Sequence, residues 1–278
     1  MSAVLILARL TCLEAVRRRI VLAAGLMAVA FLALYHAGFY YVIVREVQAH
    51  TFSPLAVREA SNFLLLAGMY AVNFLGVLMA ALLGADTLAG EIASETVQAL
   101  VTKPIPRSAI VAGKWVGLSV LIGSYLALLA GGIVLGVWLR VGTLPHHLAA
   151  GLALLYLEAI LVMTVTLAGS SATSTLATGG IAFGLYGVGF VGGWIEHVGA
   201  FLKSETAVNV GVISSLVFPG EALWKRASYE LSSPIVRAAG LSPWASPSVP
   251  SAAMIAYAVL YLVAALGFAL RRFGRRDL

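Results

Sequence analysis

Residues Asp86 to Lys114 read DTLAGEIASETVQALVTKPIPRSAIVAGK, a polar, proline-broken stretch between two long apolar runs. What it separates decides the fold. From Leu88 to Leu100 a period of 3.6 places Leu88, Ile92, Ala99 and, further round, Leu100 on one side, with Glu91, Ser94, Glu95 and Gln98 on the other. That is the pattern of an amphipathic helix. Pro104 and Pro106 end any helix, because each lacks a backbone donor and pushes the preceding residue to an extended shape. Ser108 is the expected N-cap of the next helix. A short helix held between two spanning helices transmits force, which a floppy loop does not. The plainer alternative is a solvated connection whose charges keep it out of the bilayer.

The surrounding composition fits membrane spans. The 278 residues are 61% hydrophobic and 11% charged, against about 25% charged in a soluble domain. Mean hydropathy is +0.97. Such a chain has too few polar residues to cover a soluble core. The net charge of +6 does not point to nucleic acid, because Lys and Arg cluster at the ends of apolar runs, where they set membrane topology. Cys12 is the single cysteine, so no intramolecular disulfide or thiolate metal cluster is expected.

A bilayer core of about 30 Å takes roughly 20 apolar residues as a helix. Six segments qualify, approximately 20–44, 63–85, 109–139, 148–172, 176–197 and 251–270. The first is too long for a signal-peptide core and is read as a retained span. The third is long enough to tilt or protrude. The fourth and fifth are separated by Ser170 to Thr175 (SSATST), read as a tight surface turn. Residues 1–19 mix Leu5, Leu10 and Leu13 with Arg9, Glu14 and Arg17 to Arg19, either an interfacial helix or a basic flank of the first span. With both termini inside, eleven Lys and Arg lie on the inner side and seven on the outer; four of those seven fall in one long loop, where the rule is weak. The termini and the 86–108 stretch are therefore placed in the cytoplasm.

Residues 196–250 form the largest non-spanning region. Within it Ala207 to Val217 is apolar but too short to cross, and Pro219 and Gly220 stop it, which reads as a re-entrant or interfacial helix on the outer face. The expected architecture is one all-α integral membrane domain over 1–278, with six transmembrane helices, an N-terminal interfacial helix, a cytoplasmic coupling segment over 86–108 and this large outer loop. Glycine pairs at small-xxx-small spacing, Gly132/Gly136, Gly180/Gly184 and Gly189/Gly193, permit close helix approach within or between subunits.

Glu158 lies about ten residues into the fourth span, hence about 15 Å deep. A carboxylate there costs roughly 3 kcal/mol unless it is paired, protonated or wet. It marks either a pathway or a polar contact between helices, with Asn73, Thr164 and Thr166 as candidate partners. His36, His50, His146, His147 and His197 show no metal-ligand spacing and read as surface histidines. Tyr35, Tyr40, Tyr41, Trp138, Trp194, Trp224 and Trp244 fall near predicted outer boundaries, as an aromatic belt does. No nucleophile–base frame is present, so no catalytic residue is assigned.

The run Gly90-Glu91, Thr96, Ala99-Leu100, Lys103-Pro104, Pro106-Arg107 and Gly113-Lys114 resembles the first cytoplasmic loop of ABC-2 type permeases. In that family the loop reads roughly G-E, G-T, an apolar pair, a proline, S-R and G-K. This chain departs at Glu95, where glycine is frequent, and at Pro106, where serine is frequent. The basic N-terminal segment, six spans, the outer loop and the Arg275 to Leu278 tail extend the resemblance over the whole chain. The nearest subgroup is the permeases tied to maturation of multicopper enzymes. The resemblance implies a permease subunit, an exporter in the cell membrane, that works as a dimer with a second permease chain and docks on separate cytoplasmic ATPase subunits. Gly90, Glu91, Glu95, Thr96, Leu100, Pro104 and Arg107 would form or flank that contact, and Asn73 and Glu158 would line the substrate pathway. ATP and Mg would bind the partner ATPase, since Gly113-Lys114 is followed by Trp115 and does not complete a phosphate-binding loop. Two other readings stay open: a membrane enzyme using Glu158 with His36 or a loop histidine, and an ATPase-docked scaffold that transports nothing.

Overall fold

The computed structural model describes residues 2–17, 19–47, 52–94, 106–239 and 248–275. Among them are helices α1 (Ala3–Arg17), α2 (Arg19–Phe39, continued by a π-helical turn, Tyr40–Val47), α3 (Pro54–Ala93), α4 (Arg107–Val141), α5 (Leu148–Ser170), α6 (Thr175–Phe201), α7 (Glu205–Val217), α8 (Gly220–Leu231), α9 (Pro234–Ala239) and α10 (Ala252–Gly274), with no strand. Six are long and apolar enough to cross a membrane: α2 with its π-turn, α3, α4, α5, α6 and α10. The protein is an all-α, multi-pass membrane protein. Successive crossings leave α1, the end of α3, the start of α4, the α5–α6 turn and the end of α10 at one end. The start of α3, the α4–α5 loop and the end of α6 lie at the other.

Burial separates centre from rim. In α3 and α5, 56% of the most apolar window is buried, against 6% in α2. Leu66, Met69 and Val72 of α3 interlock with Ile122 and Leu129 of α4 and with Leu161 and Met163 of α5. The outward leucines of α2, Leu22, Leu26 and Leu34, are exposed, as lipid-facing residues are.

Two boundaries differ from the sequence reading. The second span is 40 residues long rather than 63–85, about 60 Å at 1.5 Å per residue. At its start Ser53 caps and Pro54 takes the first turn. The polar residues that hid this extension are satisfied by tertiary bonds: Asn62 donates to the Leu231 carbonyl at 3.3 Å and accepts from the Ser233 N–H at 3.1 Å. At its end, Leu88 to Ala93 belong to α3 rather than to a separate amphipathic helix, and Ser94 is the C-cap. Pro106, not Ser108, precedes the first residue of α4. Ser108 is already helical because Pro106 supplies the extended entry.

The α5–α6 turn is tight, as expected, and Ser174 caps α6 by accepting from the Ala177 N–H. Past α6 the chain reverses at Leu202 to Ser204, where Lys203 takes the left-handed φ of 55°. Helix α7 then runs back along α6. A bend of 108° separates it from α8, whose end, Leu231, packs on Gly151 near the start of α5. The expected single helix is thus a helix pair that dips into the bundle and returns. Of the glycine pairs, Gly132 faces Leu32 and Gly136 faces His36, seating α2, while Gly189 faces Phe218 and Gly193 faces Glu221, seating α8. Gly180 and Gly184 have open space beside them. Trp224 is 3% exposed and its ring lies tilted against Tyr70, centroids 5.2 Å apart, so it is core rather than aromatic belt.

Helix α1 lies on α4 across Gly113 and Gly117. A Cβ on Gly113 would sit 2.5 Å from the Leu7 Cβ, and one on Gly117 2.6 Å from the Ala8 carbonyl oxygen. The Cys12 thiol donates to the Gly117 carbonyl at 3.1 Å, and burial pushes it above its ordinary pKa. Gly113→Leu should therefore lift α1. Maleimide labelling of Cys12, the single thiol, should accelerate by about tenfold, the effect of roughly 1.4 kcal/mol of local opening. An unchanged rate in the folded variant would show that α1 does not depend on this seat.

Candidate functional site

Polar side chains gather in three places along the bundle. The first is the α1 end, where α3 finishes and α4 begins. The last turn of α3 carries Glu91, which is 8% exposed and turned inward to form an ion pair with Lys114 of α4, itself 4% exposed. Glu91 was expected on the solvated side of its helix. Packing reverses this, because α4 folds back against α3 and brings a base to the same depth. The Ser170 hydroxyl at the end of α5 accepts from the N–H groups of Leu88 at 3.1 Å and Ala89 at 2.8 Å. Gly84 lets α3 approach Thr166 and Met163 of α5. The turn that leads into the 94–106 segment is thus fastened to both neighbouring spans. Gly90 sits over the Asp86 carboxylate, and Arg107 opens α4, half-buried. Glu95, Thr96, Leu100 and Pro104 lie outside the described residues.

The second place is mid-bundle. Glu158 of α5 has no exposed surface, and its Oε1 accepts from Asn73 Nδ2 of α3 at 3.2 Å. The structure thus joins the two residues singled out for the pathway. Thr164 and Thr166 are not partners of Glu158. They bond back to the carbonyls of Ile160 at 2.6 Å and Val162 at 2.8 Å, and Thr164 also accepts from Trp115 Nε1 of α4 at 2.8 Å. His36 bonds to the Gly132 carbonyl at 3.2 Å and to Arg140 at 3.1 Å. Glu158 and His36 therefore have separate partners, and the geometry offers no acid–base pair between them.

The third place was read as an outer loop. Glu196 of α6 and Lys225 of α8 form a buried pair at 2.5 Å, 2% and 5% exposed. Ser248 donates a further hydrogen bond to Glu196. Glu221 lies beside Gly193, and Gly211 of α7 faces Glu196, so the glycines make room for carboxylates. At the end of α8, Glu230 pairs with Arg226 at 2.6 Å and with His147 at 2.7 Å. The His147 hydrogen bond, with Arg226 adding to it, holds the Glu230 carboxyl below the usual carboxylate range. His147 thus fastens the α4–α5 loop to the returning helix. His146 stands beside it, ring centroids 5.7 Å apart. Among the described residues no group of three or more His, Cys, Asp or Glu is arranged to hold a metal.

A signal for this third cluster exists in GEALWKRASYEL. Glu221 and Lys225, and Arg226 and Glu230, are spaced i,i+4, as stabilising pairs on one helix are. The Glu91–Lys114 pair has no such signal, since the two lie 23 positions apart with two prolines between them.

Six spans around paired, buried polar groups define a multi-pass helical membrane protein. A family model described as ABC-2 family transporter protein matches residues 5–278. The chain belongs to that family, and membership implies a permease subunit of an ABC transporter. The match is at family level and does not distinguish the multicopper subgroup. A comparison with curated proteins finds no match.

Proposed function

We propose that this permease forms the substrate pathway of an ATP-driven exporter and takes its mechanical input at the 86–108 segment from a separate cytoplasmic ATPase. The observation that carries the reading is the fastening of the last turn of α3 to α4 through Glu91–Lys114 and to α5 through Ser170. A push on the segment that follows is delivered to three spans at once. Glu91 then serves as an internal strut, and the docking surface falls to Gly90, Arg107 and the intervening Glu95, Thr96, Leu100 and Pro104. Both termini lie in the cytoplasm in this reading, which rests on the excess of Lys and Arg at that end. ATP and Mg belong to the ATPase. A second permease chain completes the pathway, in which α3 and α6 move, the α7–α8 pair gates the outer end, and Asn73 and Glu158 line the wall. The multicopper-maturation role is carried as the cargo hypothesis.

Arg107→Glu reverses a charge at the docking surface and leaves Glu91 and Lys114 in place. It should lower ATPase co-purification and ATP-coupled flux by about tenfold, since truncating or reversing one interface charge commonly costs more than 1 kcal/mol. Unchanged flux and association in the folded variant, with every candidate ATPase from the same cells, would overturn the coupling assignment. Nucleotide-dependent movement of the permease with no flux of any cargo would favour the scaffold reading.

A further inference from the structure

Three buried carboxyl groups, Glu158, Glu221 and Glu196, are 0%, 7% and 2% exposed. The amine of this cluster, Lys225, bonds Glu196 at 2.5 Å and lies one turn along α8 from Glu221. Three anions against one cation leave a net negative charge in a region with almost no water, a cost of many kcal/mol if all stay ionised. Glu158 is the member furthest from compensation. Asn73 satisfies its Oε1, while its Oε2 is fully buried and has no hydrogen-bond partner of ordinary geometry.

The elements packed on α5 bring mostly neutral groups to Glu158. Helix α3 presents Asn73 and Tyr70, α6 presents Tyr186, and α8 presents Glu221, with Lys225 one turn further on. Helix α10 contributes Tyr261 against Phe218, and the lysine of α4, Lys114, is committed to Glu91. The groups that act on Glu158 are thus an amide, phenols and another acid. A proton is the cation whose size and charge suit such a place. The cluster also reaches the surface: Ser248, which donates to Glu196, is exposed.

We propose that Glu158 and Glu221 form a buried proton-binding site, exchanging with the outer end of the molecule past Glu196, Lys225 and Ser248. The proton moves between carboxyl oxygens with no change in oxidation state, and its source and sink are water at the outer end. This inference does not rest on the ATPase-coupling reading, since it concerns the α5–α8 contact alone.

Dicyclohexylcarbodiimide, an apolar reagent that adds to protonated carboxyl groups, tests it on the full chain in lipid nanodiscs, with sites read by mass spectrometry. Expected is labelling of Glu158 that rises at least about tenfold as pH falls from about 9 to about 5, the range over which buried carboxyls titrate. Glu91 and Glu196, also buried but each paired with a lysine, should remain at background and so control for reagent access. Infrared difference spectra should contain a protonated-carboxyl band that is absent from Glu158→Gln. Should that variant fail to fold, wild-type labelling decides alone. Glu158 unlabelled across the range in the folded wild-type chain, or labelled independently of pH, overturns the proposal.

Discussion

Replacing Lys114 with methionine is expected to destabilise the folded protein by about 3–5 kcal/mol, the usual effect of removing one partner of a buried ion pair. The pair is buried on both sides, with side-chain exposures of 5% and 10%, so solvent screening offers little relief. Methionine keeps the length and apolar stem of lysine and isolates loss of the charge. Thermal unfolding in detergent provides the measurement, with Trp115 next to the substitution as reporter. The companion variant joins Lys114→Met to Glu91→Leu. It should recover most of the loss, because a well-packed apolar pair of similar volume is often as stable as a buried ion pair. Its flux is then informative: stability restored with ATP-coupled transport lost assigns the pair to transmission, whereas both restored assigns it to folding. A loss from Lys114→Met of under about 1 kcal/mol, the range of solvated pairs, would mean that Glu91 reaches water.

The six spans were legible because a run of about 20 apolar residues has few other uses, and family membership confirms the class they define. Asn73 and Glu158 were legible as partners because a lone carboxylate at that depth needs one, and α3 offers an amide at a matching level. The ends of the spans were not. Glu59, Asn62 and Arg58 look like a stop signal for an apolar helix, yet α3 begins before them, because Glu59 accepts from Ser233 at 2.5 Å and Asn62 holds the end of α8. Helix α8 was missed for the same reason. Its mean composition is polar, and hydropathy assigns polar segments to solvent, whereas here Lys225 meets Glu196 of α6 and Glu230 meets His147 of the α4–α5 loop. Glycines were misread in the opposite sense. Small-xxx-small spacing says that something comes close, but only the fold shows that Gly193 admits Glu221.

The second large effect follows from that missed helix. Lys225→Met should destabilise the protein by about 3–5 kcal/mol near neutral pH, since it removes the one amine among Glu196, Glu221 and Glu158. Its signature is the pH dependence. Without Lys225 the folded variant needs protons on carboxyls that the unfolded chain, open to water, leaves ionised. The native state then binds more protons than the unfolded state, so stability falls as pH rises and recovers as pH falls. The gap between wild type and variant should accordingly narrow on acidification. Lys114→Met, whose site is lined by two acids, Glu91 and Glu14, rather than three, should show a shallower slope. Adding Glu196→Gln to Lys225→Met removes one of the stranded carboxylates and should reduce both the loss and its slope. Unfolding midpoints measured at several pH values for the single and double variants decide the matter. A loss independent of pH would mean that Lys225 acts through packing of its stem against α6, with the carboxyls already neutral in the wild-type protein.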